Sequence, residues 1–161
     1  MKTTLFKTVF IFLLLITTGV GCKKQADPGE YKELTYLNVK GLNLTGDTCY
    51  IKESETKNFN LVINSQVDFE KYFGFKTDYT PQIDFTNYTL LAGSRIVNCC
   101  YPNLTQQDIL INREIKAVRF TAQFIYDSGC YPAFGVIYFY ALVPRLDDLY
   151  TVSFNVDIIK N

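Results

Sequence analysis

Residues 150–158 read YTVSFNVDI, and their parity decides the fold class. Tyr150, Val152, Phe154, Val156 and Ile158 fall on one side of an extended chain, and Thr151, Ser153, Asn155 and Asp157 fall on the other. A period of two with one dry and one wet face is the pattern of an antiparallel strand at a sheet surface. The segment from Lys116 repeats it, setting Val118, Phe120, Ala122, Phe124 and Tyr126 against Arg119, Thr121 and Gln123. Between the two, residues 134–143 (FGVIYFYALV) form a continuous apolar run, which suits a central strand covered on both faces. Pro144 ends that run, and residues 145–148 make a polar turn.

Working outward, Phe59, Leu61 and Ile63 alternate with Asn58, Asn60 and Asn64 as a shorter strand. Ser65 then opens a helix: its hydroxyl can cap free backbone amides, and Asp68 suits the positive end of the helix dipole. Phe69, Tyr72 and Phe73, three and four apart, form one apolar helical face, and Gly74 supplies the stop. Residues 88–92, 108–111 and 37–44 read as further strands. The expectation is a mainly β protein with a minor α part: an antiparallel sheet sandwich or partly open barrel of six to eight strands, with one short helix near 65–73. Residues 34–161 form a single β-rich domain, since no shift in composition divides them. A chain of this length can bury about two thirds of its unfolded surface.

The N-terminus reads as an address. Lys2 and Lys7 precede an apolar stretch at 9–16, and Thr17, Thr18, Gly19, Val20 and Gly21 shrink toward Cys22. The stretch is too short to span a hydrocarbon core of about 30 Å as a helix, and it matches a secretory signal peptide over residues 1–21. Gly19-Val20-Gly21-Cys22 resembles a bacterial lipobox, with Gly19 where that motif prefers Leu. The resemblance implies lipidation at Cys22, with palmitate among the acyl chains, and two or more such chains would hold the protein at the membrane essentially permanently. Residues 22–33, polar and broken by Pro28-Gly29, read as a tether. Gln25-Ala26-Asp27 is similar to part of the acidic export signal of some surface lipoproteins. The expected location is the bacterial cell envelope, at the outer membrane rather than the inner one.

Charge and composition then narrow the function. The 16 basic and 16 acidic groups balance, leaving no basic stripe of the kind that neutralises phosphates, so no nucleic-acid partner is expected. There is no His and no Trp. Absence of His removes the commonest general base and the commonest metal ligand. No phosphate loop, nucleophile elbow or calcium loop is present, and neither cofactor nor metal is expected. Asp68 and Glu70 lie two apart and do not share a helical face, Asp147-Asp148 suits a turn, and Asn43, Asn87 and Asn103 open Asn-x-Thr triplets that behind a lipobox read as turn residues.

Beyond Cys22 four cysteines remain: Cys49, Cys99, Cys100 and Cys130. An even number behind a secretory signal favours disulfides. Adjacent Cys99 and Cys100 cannot bridge each other without strain. The echo of Cys100-Tyr101-Pro102 in Cys130-Tyr131-Pro132 favours Cys100–Cys130 with Cys49–Cys99, the exchanged pairing being the alternative. Tyr101 and Tyr131 are the candidate partner contacts, because Tyr presents amphipathic area at low ordering cost.

The order of FEKYF at 69–73, Ile83-Asp84-Phe85, Tyr88-Thr89-Leu90-Leu91 and Ala141-Leu142-Val143-Pro144 is similar to small β-rich Bacteroidota lipoproteins without assigned function. It also resembles the C-terminal domain of the protease-complex-associated lipoprotein family. The resemblance runs from about Asn60 to Ile159, implies a binding or regulatory part, and transfers no site residue. Two function classes follow. One is a lipid-anchored, non-catalytic binding or accessory module that recognises an envelope protein or glycan. The other is an envelope hydrolase built on carboxylates such as Asp84 and Asp157, which would have to converge within about 5–10 Å.

Overall fold

A computed structural model of the chain describes residues 29–38, 49–76, 80–98, 102–126 and 134–161. Along these residues run β1 (Lys32–Glu33), β2 (Cys49–Ile51), β3 (Phe59–Ile63), α1 (Gln66–Tyr72), β4 (Phe73–Phe75), β5 (Tyr88–Val97), β6 (Asn103–Asn112), β7 (Ala117–Tyr126), β8 (Gly135–Pro144) and β9 (Thr151–Lys160). Strands dominate, in three sheets of order β1-β6-β7-β9, β3-β5-β8 and β2-β4, none closed into a barrel. Among the described residues the fold is a sheet sandwich with one short helix.

The β3-β5-β8 sheet is the middle layer, and this explains its sequence. Side chains alternate across a strand, so Ile137, Phe139, Ala141 and Val143 of β8 enter a core shared with Ile109, Val118, Phe120 and Phe124 of the large sheet. Leu142, with Leu90 and Ala92 of β5, enters a second core with Cys49, Ile51, Leu61, Ile63, Phe69 and Phe73. From Ile137 to Val143 the run is apolar because both faces are covered, as its composition implies, whereas Phe134 at its start is exposed. Its expected central place is corrected. Among the described residues β8 forms a ladder with β5 alone, from Tyr88↔Pro144 to Val97↔Gly135. On its other side it has one isolated bridge, Leu37↔Leu142.

The pairing of β9 also differs from expectation. β9 runs parallel to β7, from Ala117↔Thr151 to Tyr126↔Lys160, whereas an antiparallel neighbour is expected from its alternation. The chain follows β7 in the large sheet, crosses to β8 in the middle sheet, and returns to the large sheet in the direction of β7. Alternation reports which face is dry and carries no information on direction. The dry faces hold over most of their length: Val118, Phe120, Ala122 and Phe124 are buried, and Tyr150, Val152, Phe154 and Val156 pack half-buried on the same core, while Ile158 at the far end of β9 is exposed.

Lys32 and Glu33, read as the end of the tether, pair with Ile111 and Leu110 of β6. Asn112, buried at the end of β6, donates from Nδ2 to the Gly29 carbonyl at 3.0 Å, while its Oδ1 accepts from the Glu114 and Ile115 amides. The described chain is therefore docked on the sheet from Gly29 onward. Of the segment 37–44, Leu37 forms its bridge and residues 39–44 lie outside the described residues.

Helix α1 starts as the sequence implies. Ser65 is extended, with φ −146 and ψ 152, and its Oγ accepts from the Asp68 amide at 3.1 Å. Ser65→Ala is expected to cost about 1 kcal/mol, the usual value of an N-cap, readable as a lower urea midpoint at unchanged slope. The stop differs. Phe73 at the C-cap already has strand dihedrals and Gly74 lies inside β4. Gly74 is needed for a close approach: a Cβ there would stand 2.6 Å from Tyr50 Oη and 2.8 Å from Tyr50 Cε1.

A candidate binding cleft around Tyr50

Strand β2 is three residues, CYI, and its alternation sets its chemistry. Cys49 and Ile51 turn inward to the second core, so Tyr50 turns outward. In the ladder Tyr50 stands opposite Gly74, and its ring end lies over that glycine. An aromatic residue covering a cross-strand glycine is a recognised way of stabilising a short ribbon. It also lays the Tyr50 ring along the ribbon.

Two shallow cavities meet at this residue. One, of about 500 Å³, is lined by Tyr50, Lys52, Glu70, Phe73, Phe75 and Thr80. The other, of about 410 Å³, is lined by Tyr50, Glu53, Ser54, Glu55, Lys76 and Tyr138 among others. Lys52 Nζ donates to the Glu70 carbonyl at 2.9 Å, tying β2 to α1. Ser54, buried, shares a 2.9 Å hydrogen bond with Tyr138 Oη in which either hydroxyl can donate. Glu53 pairs with Lys57, whose ammonium holds the Glu53 carboxyl below its ordinary range by hydrogen bond and by charge. Ser94, opposite Tyr138 in the β5–β8 ladder, is buried and its hydroxyl finds no partner among the described residues.

The residues named from sequence are placed elsewhere. Cys49 is a free, buried thiol, which corrects the expected bridge to it. It lies on the inner face of β2 opposite Phe75, where a thiol serves as a small hydrophobe. Burial pushes the thiol up to about 12, and burial followed by the neighbouring Cys49 raises the Tyr140 phenol. The folded state thus keeps the proton when the unfolded chain begins to lose it near pH 9. This contribution leaves stability unchanged below that pH and lowers it as pH rises toward 12. Native protein at pH 8 should leave Cys49 unalkylated by iodoacetamide, with modification only in denaturant; rapid native labelling at Cys49, read by peptide mass, would count against its burial.

Cys22, Cys99, Cys100, Cys130, Tyr101 and Tyr131 lie outside the described residues. The strand ends beside the last five are described. Val97 of β5 pairs with Gly135 of β8, and Asn103 of β6 pairs with Ile125 of β7. These four strand ends therefore lie at the same end of the sandwich.

The carboxylates of the hydrolase alternative do not come together. Asp84 closes a turn before β5, its Oδ1 accepting from the Thr86 amide at 3.1 Å and its Oδ2 from Asn87 Nδ2 at 2.8 Å. The Asn87 amide, opposed by slight burial and aided by the backbone amides, holds the carboxyl below its usual range. Asp157 is exposed on the outer face of β9 in the other sheet. It stands six residues beyond Thr151, about 20 Å along the strand, while Asp84 belongs to the end where Tyr88 meets Pro144. Asp68 is engaged with Ser65, and the Gln66 amide donates to Glu70 at 2.9 Å. No group of three or more His, Cys, Asp or Glu with metal-holding geometry occurs among the described residues.

Sequence reading missed Tyr50, Ser54 and Tyr138. The signal was present but short: CYI at 49–51 and FGF at 73–75 both alternate, and the central Tyr and Gly are complementary in size. Compared with protein-family models, with curated proteins and with solved structures, the chain gives no significant match. No helix among the described residues is long and apolar enough to cross a membrane.

Proposed function

We propose that this chain is a lipid-anchored binding module of a bacterial cell envelope, non-catalytic, held at the outer membrane through acyl chains on Cys22 and recognising a glycan or protein partner. The small residues 17–21 before Cys22 support the anchor. The observation that carries the binding reading is the Tyr50 cleft. Tyr50 sits on a ribbon backed by the continuous second core, so its position is set before any partner arrives. A preorganised aromatic residue beside polar cavities lowers the ordering cost of recognition. The carboxylates that a hydrolase would use are engaged in a turn or set on an outer face, which favours recognition over turnover.

The anchor is tested by partitioning the full chain in Triton X-114. Wild type should enter the detergent phase after export and Cys22→Ala should stay in the aqueous phase. Equal partitioning of the two would end the lipidation reading. The non-catalytic reading is tested by incubating the purified protein with envelope glycans and peptides, where any product that accumulates with time would overturn it.

A further inference from the structure

We propose that the Tyr50 cleft takes a neutral saccharide. This inference rests on the reading of the chain as a binding module and deepens it by naming the ligand class. Three features of the cleft converge on that chemistry.

The first is the platform. Tyr50 has its ring end over Gly74, where the missing Cβ makes room for it, and the same residue borders both cavities. A ring laid along a sheet offers an apolar surface of the size and flatness that the C–H face of a pyranose requires, with a hydroxyl at its tip. Tyr fixes few rotatable bonds on binding, so the stacking is not offset by a large ordering cost.

The second is the charge balance. The larger cavity carries Lys52 against Glu70. In the other, Glu53 is neutralised by Lys57, and Glu55 faces a lining that includes Lys76. Among the described residues neither lining builds a field of one sign, so neither a phosphate nor a polycation gains from entering. An uncharged polyol gains from both partners, since carboxylates accept from its hydroxyls and ammonium groups donate to them.

The third is the hydroxyl pair. Ser54 and Tyr138 share one hydrogen bond in which either can be the donor. Such a pair can present a donor or an acceptor to the cavity as the ligand needs, which suits sugar hydroxyls because they are both. A protein partner fits the cleft less well. Among the described residues none of the exposed large apolar side chains lines either cavity, whereas protein interfaces centre on buried apolar or aromatic anchors.

The experiment is isothermal titration of the full chain in detergent with hexasaccharides of α-glucan, β-glucan, β-xylan and β-mannan, and with oligogalacturonate as the anionic arm. At least one neutral hexasaccharide should bind in the micromolar to millimolar range, and oligogalacturonate should bind more weakly. Tyr50→Ala should weaken binding about tenfold or more, while Tyr50→Phe, which keeps the ring, should stay within about threefold. Glu55→Ala, at an exposed position that leaves the cores untouched, should weaken it about three- to tenfold. Absence of binding to every neutral sugar, preference for oligogalacturonate, or an affinity indifferent to both Tyr50→Ala and Glu55→Ala would overturn the proposal. A photo-crosslinker at position 50 that captures a defined protein, with no sugar binding, would overturn the ligand class and leave the binding-module reading standing. Cleavage of the hexasaccharide would instead remove the non-catalytic reading.

Discussion

Phe69→Ala is expected to lower stability by about 4 kcal/mol, within the usual range for deleting a fully buried aromatic ring. Phe69 is the one buried residue of α1 and has no exposed surface. Its ring lies 4.7 Å from Phe73, 5.5 Å from Phe75 and 6.4 Å from Phe85, all in tilted contact. It therefore joins the helix, β4 and the turn before β5 in a single cluster, and no smaller residue can fill the space without moving three elements. A domain of this size has only about 5–15 kcal/mol in total, so this change takes away a large part of it. The thermal midpoint should fall by roughly 8–16 °C at about 2–4 °C per kcal/mol. A shift of under 3 °C in calorimetry would mean that α1 does not belong to the cooperative core. The Tyr50 ribbon should suffer first, since β4 continues directly from this helix.

Gly93→Val should cost about 3 kcal/mol by the opposite mechanism, overpacking. Gly93 lies in the middle of β5, opposite Phe139 in one neighbour and Asn60 in the other. A Cβ at this position would overlap the Phe139 ring and stand 2.8 Å from the Phe59 carbonyl oxygen. The ring cannot retreat freely, because Phe139 meets Phe120 edge-on at 5.5 Å and Phe154 at 6.3 Å. The carbonyl cannot retreat either, since it accepts from Arg95 at 2.9 Å within the β3–β5 edge. Chemical denaturation should show the loss, and Gly93→Val combined with Phe139→Leu should recover only part of it. The smaller, ringless partner relieves one clash and leaves the backbone contact. Full recovery in the double variant would show that the ring alone excludes a side chain here.

Gly93 and Gly74 share this logic. Each stands in a strand opposite an aromatic residue, Phe139 or Tyr50, that covers it. One pair faces the large core and anchors the sandwich. The other faces outward and shapes the cleft. A lone glycine between aromatics, as in FGF at 73–75, could be read either as a helix stop or as a covered strand position. The helix reading fails because Phe73 has already turned to extended dihedrals.

The sequence by itself determined what local pattern can encode. Parity at 118–126 and 150–158 marked which side chains meet the core, and Ser65 with Asp68 marked where the helix begins. The apolar run at 134–143 marked a strand covered on both faces. These features depend on residues one to four apart, so they survive without knowledge of neighbours. Tertiary structure alone decided that β9 lies parallel to β7, that β8 ends its sheet among the described residues, and that Cys49 is a core thiol. It also decided that Tyr50 meets Gly74 and that Ser54 meets Tyr138 across 84 positions. Alternation is unchanged by reversing a neighbour or adding one, and a contact between distant residues depends on how the whole chain closes its loops.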